Sequence, residues 1–190
     1  MKDKEIEIRF PLKNPQKLIE ELNSKAQLID KDIFQKDTYY VPAHRNFLDN
    51  DWPYEWLRLR ETANGASINY KHYHRESPDK AADFCDEFQT KIENIDAIKK
   101  IFENLNFRDA IIVEKLRSTW GFKNVEIAID NIKGLGFYVE IESKREFTDP
   151  KVEKQHLFNI LFELNAEVGQ EDVHGYAFAL LKKQKSDTKN

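Results

Sequence analysis

Glu5-Ile6-Glu7-Ile8-Arg9-Phe10 alternates charged and apolar side chains with a period of two. A β-strand turns successive side chains to opposite faces, so Glu5, Glu7 and Arg9 share one face while Ile6, Ile8 and Phe10 share the other. The same alternation returns in Trp56-Leu57-Arg58-Leu59-Arg60, Ile68-Asn69-Tyr70-Lys71, Lys115-Leu116-Arg117, Glu126-Ile127-Ala128-Ile129-Asp130 and Val139-Glu140-Ile141-Glu142. An ordinary solvated sheet face carries Thr, Ser and mixed polar residues; here the polar face is almost wholly ionised, with acids and bases on different strands. That pattern points to a closed barrel with a charged interior, because so many charges are tolerable only where they face one another, metal, water or ligand.

The remaining chain fits an α+β domain. Asn14-Pro15 reads as an N-cap followed by proline, opening a helix whose stripe is Leu18, Ile19 and Leu22 and which ends near Ala26. Gln27 to Val41 returns as strand. Trp56 to Glu61 and Ala66 to Tyr73 form a hairpin across Asn64-Gly65. Phe84 to Ile92 alternates again, and Asp96 is expected to cap a helix bearing Ile98, Ile101, Phe102 and Leu105. Ala110 to Thr119, Asn124 to Asp130 and Phe137 to Ser143 read as strands. Asp149-Pro150 opens a third helix, and a last short helix is expected from about Val173 to Lys182. The order strand–helix–strands occurs twice, hinting at two related halves.

With 190 residues the chain is read as one domain over residues 1–182, with residues 183–190 a disordered tail where apolar residues stop. A net charge of −4 gives no reason to expect nucleic acid. The single cysteine, Cys85, excludes an internal disulfide framework and fits a reducing, cytoplasmic setting. No apolar run approaches the roughly 20 residues that span a membrane.

Chemistry concentrates in the charged pairs. Glu5 and Glu7, roughly 7 Å apart at about 3.3 Å rise per residue, can hold a hard divalent cation, whose usual ligands are carboxylates and phosphates. Arg58 and Arg60, with Lys71, can clamp phosphate oxygens. Lys115 with Arg117 repeats the device. Glu126 with Asp130, and Glu140 with Glu142, add acids. Taken singly, each pair also reads as surface charge. His72 and His74 have the opposite parity to Lys71 and are expected to point outward. Cys85 reads as a buried structural thiol. Trp52, Trp56 and Trp120 could stack on a base, although core packing is the commoner role. There is no P-loop, and Gly134-Leu135-Gly136 is too short for a dinucleotide fingerprint.

Together these residues resemble the CYTH family, the triphosphate tunnel metalloenzymes. Glu5, Glu7 and Arg9 occupy that family's opening ExExK, with arginine in place of lysine. Gln35-Lys36-Asp37-Thr38-Tyr39-Tyr40, Leu57 to Arg60, Lys71, Asp86-Glu87-Phe88-Gln89, Lys115 with Arg117, and Asp130, Gly134, Gly136, Glu140 and Glu142 follow in the family's order over about residues 4 to 165. Gln89 stands where a second acid is common. The resemblance implies an eight-stranded antiparallel tunnel with helices outside, Mg²⁺ or Mn²⁺ as cofactor, and ATP or another triphosphate as substrate. It implies a homodimer as the assembly. It implies that Arg9, Arg58, Arg60, Lys71, Lys115 and Arg117 bind the triphosphate, and that Glu5, Glu7, Asp130, Glu140 and Glu142 hold metal. Glu5, Glu7, Lys71 and Arg117 would be catalytic. The likeness is greatest to prokaryotic class IV adenylyl cyclases, which convert ATP to cyclic AMP and pyrophosphate. Hydrolysis of inorganic or thiamine triphosphate, and non-catalytic polyphosphate or nucleotide binding, are the alternatives.

Overall fold

A single antiparallel sheet carries the whole charged pattern. The computed structural model describes residues 4–49, 53–77, 80 and 82–187; Trp52 lies outside them. The elements are β1 (Lys4–Glu5), β2 (Glu7–Pro11), α1 (Pro15–Lys25), β3 (Gln27–Val41), β4 (Glu55–Thr62), β5 (Gly65–His74), β6 (Phe84–Ile92), α2 (Ile95–Asn104), β7 (Arg108–Phe122), β8 (Val125–Ile132), β9 (Gly136–Ser143), α3 (Pro150–Glu163) and α4 (Tyr176–Asp187). Spatial order is β1-β6-β5-β4-β3-β7-β8-β9-β2.

β1 and β2 are two stretches of one strand, interrupted at Ile6, so the sheet has eight antiparallel strands. Glu5 pairs with Cys85 on β6, whereas Glu7 pairs with Glu142 on β9. The chain crosses at Ile6, whose carbonyl accepts from the Ser143 N–H at 3.0 Å. The two sheet edges are therefore joined by only two residue pairs on the β6 side, Lys4 with Asp86 and Glu5 with Cys85. "Closed" overstates the barrel: the sheet curls into a half-barrel whose edges meet at one end, while β6 beyond Glu87 pairs only with β5.

Helices cover the apolar outer face. Leu18 and Leu22 of α1, and Leu157, Ile160 and Leu161 of α3, pack on Ile8, Phe10, Ile127, Ile129, Val139 and Ile141. Each fully buried aliphatic side chain of this kind contributes about 1.5–3 kcal/mol. α2 sets Phe102 against Tyr40 and Leu59 on β3 and β4. The caps follow sequence chemistry: Asn14 accepts from Lys17 N–H at 3.3 Å and Asp149 from Lys151 N–H at 2.8 Å. The cap of α2 is Asn94, accepting from Ala97 N–H at 2.9 Å, and not Asp96, which instead lies in the first turn, where its charge meets the helix dipole. The β4–β5 hairpin turns at Gly65, whose φ of +125° is open only to glycine.

α4 differs from the other helices. It packs on the inner side of the sheet, with Tyr176, Ala177 and Phe178 against Trp56, Ile111, Val113 and Ile132, and so fills one end of the half-barrel. It also runs to Asp187, past Lys182, where the sequence reading had placed the start of a disordered tail. No helix among the described residues is long and apolar enough to cross a membrane.

Candidate active site

The ionised strand positions converge on one cavity of about 240 Å³ inside the half-barrel. Its wall takes Glu5, Glu7 and Arg9 from the N-terminal strand, Arg58 and Arg60 from β4, Lys71 from β5, Lys115 and Arg117 from β7, and Glu140 and Glu142 from β9. The alternation that makes a strand amphipathic places them there, since their apolar neighbours along each strand point to the opposite face. Asn69 and Glu126, from the alternating stretches of β5 and β8, line it as well, and so do Tyr39, Tyr73, Glu87, Lys144, His174 and Tyr176, to which the sequence assigns no role. Trp56 lines it too, edge-on to Tyr39 at 5.4 Å, whereas Trp120 is buried in the core with its indole N–H donating to Asn23 at 3.1 Å.

Two buried aspartates organise the cations. Asp37, 1% exposed, receives both Arg60 Nε and Nη2 at 2.7 Å and Arg58 Nη1 at 3.3 Å. Asp130, 0% exposed, receives Arg117 Nε at 2.7 Å and Nη2 at 2.6 Å, Lys115 Nζ at 3.0 Å and the Tyr176 hydroxyl at 2.9 Å. Asp130 was expected among the metal ligands. Its oxygens accept from both cations and from the Tyr176 phenol beneath the cavity wall, a place from which it orients Lys115 and Arg117.

The acids form a band across the strand crossing. Lys71 Nζ lies 2.6 Å from Glu5 and 3.4 Å from Glu7. Arg9 bonds Glu7 and, through Nε, Glu140 at 2.9 Å; Arg117 reaches the other Glu140 oxygen at 2.9 Å. Glu142 pairs with Lys144 at 2.6 Å, near the open mouth. Asn69 donates to Glu87.

These contacts set the protonation states. Burial opposes the charge on Lys71 and Arg9, but Glu5 and Glu7 on the first, and Glu7 and Glu140 on the second, hold both pKa values well above the ordinary range. Burial would raise Glu140, yet Arg117 and Arg9 hold it well below the usual carboxylate value. Burial would likewise raise Asp130, but Arg117 and Lys115 hold it at about 2. Lys115 moves the other way: burial first, then the neighbouring Arg117, bring it down to about 7 against the pull of Asp130. Glu142 is pushed up to about 8 by burial and by Glu5.

The donor set fits a hard divalent cation. Glu5, Glu7 and Glu142 offer carboxylate oxygens on one stretch of wall, with Glu140 beside them, its two oxygens accepting from Arg9 and Arg117.

Comparison with known proteins agrees with this geometry. The chain matches the CYTH domain over residues 3–177 and belongs to that family, whose enzymes act on triphosphates and depend on metal. It is 28% identical over 162 residues to the protein named "Putative adenylate cyclase MJ0240" from Methanocaldococcus jannaschii, covering 85% of this chain and 89% of that one. Among solved structures it is similar to the PH1819 protein of Pyrococcus horikoshii, with a TM-score of 0.79, 24% identity and coverage of 94% and 99%. It is also similar to HpAC1 from Hippeastrum, an adenylyl cyclase candidate described as having a dominant triphosphatase activity, with a TM-score of 0.61, 17% identity and coverage of 95% for both chains.

Proposed function

We propose that this protein is a metal-dependent enzyme that draws a triphosphate into the half-barrel and cleaves it, with the conversion of ATP to cyclic AMP and pyrophosphate as the first reading. The observation that carries the proposal is the convergence of two cation pairs, each braced by a buried aspartate, on the same cavity as a carboxylate band. Braced guanidiniums hold a fixed fork geometry and meet phosphate oxygens without further ordering. The name of the archaeal relative favours the cyclase.

Arg58, Arg60, Lys115 and Arg117 bind the phosphate chain from β4 and β7, while Arg9 and Lys71 bind it from the acidic side. A bound Mg²⁺ or Mn²⁺ would supply charge neutralisation and a template for the phosphates, held by Glu5, Glu7, Glu140 and Glu142. The residues then position an in-line displacement at phosphorus. Lys71 and Arg117 stay charged throughout, so their part is electrostatic. Lys115, with a pKa of about 7, can exchange a proton at neutral pH. α4 fills one end and excludes water there, leaving the other mouth for the group attached to the triphosphate.

A second reading, hydrolysis at the terminal phosphorus, is favoured by the cavity itself. Its volume of about 240 Å³ and its charged wall match a short polyphosphate better than a whole nucleotide, and the Hippeastrum neighbour is described as a triphosphatase. A product assay with Mg²⁺ or Mn²⁺ and parallel ATP, tripolyphosphate and thiamine triphosphate separates the readings. Cyclic AMP with pyrophosphate supports the cyclase. Orthophosphate supports the hydrolase. Tight binding without turnover overturns both in favour of a non-catalytic sensor.

A further inference from the structure

The outer face of the sheet carries a separate donor cluster that the tunnel chemistry does not use. His72 and His74 are two apart on β5, so they share the face opposite Lys71 and Tyr73. Asp86 of β6 stands directly across from His72 in the strand register. One nitrogen from each histidine and one Asp86 oxygen all lie within 4.8 Å of one another. His74 Nε2 is 2.7 Å from Asp86 Oδ2, and the two imidazoles are 4.9 Å apart between centroids. Phe84 stacks on the His74 ring at 4.5 Å, limiting its rotation. The side chains are partly open, His74 at 39% and Asp86 at 33%.

We propose that His72, His74 and Asp86 form a second metal site, for a late first-row divalent cation of the Zn²⁺ class, with its remaining position open to solvent. Two imidazoles and a carboxylate on adjacent antiparallel strands make a facial N,N,O set. Imidazole suits zinc and its neighbours, whereas the acidic band of the tunnel offers carboxylate oxygen, which suits magnesium or manganese. The fold thus sorts two kinds of donor onto opposite faces of the same sheet. Ligands about 2.0–2.1 Å from zinc stand about 3.4 Å from one another in a tetrahedron, so the cluster needs only side-chain adjustment to close. Because Asp86 also pairs with Lys4 of β1, an occupied site would tie β5 to β6 beside the seam where the half-barrel meets itself, and would stabilise that seam.

The test uses the full chain, stripped with chelator and returned to buffer with excess Mg²⁺ to occupy the tunnel acids, then titrated with Zn²⁺. One site of micromolar affinity is expected, with a raised melting temperature. His72→Gln/His74→Gln should weaken Zn²⁺ binding at least about tenfold and cancel the thermal shift, while Mg²⁺-dependent triphosphate turnover, if the enzyme reading holds, stays at the wild-type level. Histidine-ring NMR of the wild-type protein provides a check that needs no variant: Zn²⁺ should perturb His72 and His74 ahead of His44, His156 and His174. Unchanged Zn²⁺ affinity in the double variant, loss of Zn²⁺ binding in Glu5→Gln/Glu7→Gln instead, or ring signals that move together would each overturn the site. The readout is zinc binding and not turnover, so its failure is distinct from a failure of the triphosphate reading.

Discussion

Asp130 stands directly across from Arg117 in the β7–β8 register and accepts both of its nearest guanidinium hydrogens, at 2.7 and 2.6 Å. Asp37 stands in the same relation to Arg60 across β3 and β4, at 2.7 Å twice. The two halves of the sheet thus repeat one device: a fully buried aspartate aiming a pair of cations on the next strand. Asp130→Asn should leave Lys115 and Arg117 without the carboxylate that orients them, Arg117 keeping only its pair with Glu140. The expected cost is about 3–5 kcal/mol of stability, with a higher KM for triphosphate. Urea unfolding and steady-state kinetics would check it, and a variant of wild-type stability would refute the bracing role.

Glu5→Gln/Glu7→Gln removes two carboxylate charges from the band while keeping the hydrogen-bonding shape. Metal-dependent turnover should fall by at least about 100-fold, whereas tripolyphosphate binding in chelator should persist, since the cations remain. Isothermal titration with and without Mg²⁺ separates the two effects. Near-normal turnover would exclude these acids as metal holders.

Glu142 links stability to pH in the metal-free protein. Its folded pKa of about 8 lies above the ordinary 4.5, so the folded state holds a proton that the unfolded state has released between those values. Its stabilising contribution is full below pH 4.5 and is lost as pH rises through about 8. Glu142→Gln cannot ionise and should be the flatter of the two proteins across that window. Urea midpoints in chelator at several pH values test this; parallel pH profiles would contradict it.

Lys115 has the opposite shift, down to about 7, and is largely neutral at pH 8. A polyanion beside it favours the charged form, so metal-free tripolyphosphate binding at pH 8 should take up as much as about one proton. Calorimetry in two buffers of different ionisation enthalpy counts that proton. Lys115→Arg, charged throughout, should show a smaller uptake; equal counts would refute the assignment.

Gly175 lies at φ +87°, and a Cβ there would come within 3.1 Å of Arg9 Nη1. Gly175→Ala should cost about 1–2 kcal/mol from backbone strain and displace Arg9, raising KM for triphosphate several-fold. Thermal melting with kinetics would check both parts.

Much of this was legible in the order of residues. Period-two charge located the N-terminal strand, β4, β5, β7, β8 and β9, because a strand's two faces are fixed by its backbone and need no tertiary context. Gln27–Val41 and Phe84–Ile92 were read to the residue, and the Asn64-Gly65 turn declared its hairpin. What sequence could not convey was depth. Glu126 and Asp130 share strand parity, yet one lines the cavity and the other lies sealed beneath Lys115 and Arg117. The inward seat of α4 was equally hidden: its apolar residues run without a break from Tyr176 to Leu181 and mark no face. The His72–His74–Asp86 cluster joins residues that are close only once β5 and β6 are in register.

The strand that opens the chain belongs to both edges of the sheet. Arg9 meets Glu140 across 131 residues of sequence, and β2 has no other neighbouring strand. The two strands of that seam lie more than a hundred residues apart in the chain. Joining β2 to β9 closes the longest loop of any strand pair in the sheet, so of all its joints this seam asks the greatest loss of chain entropy.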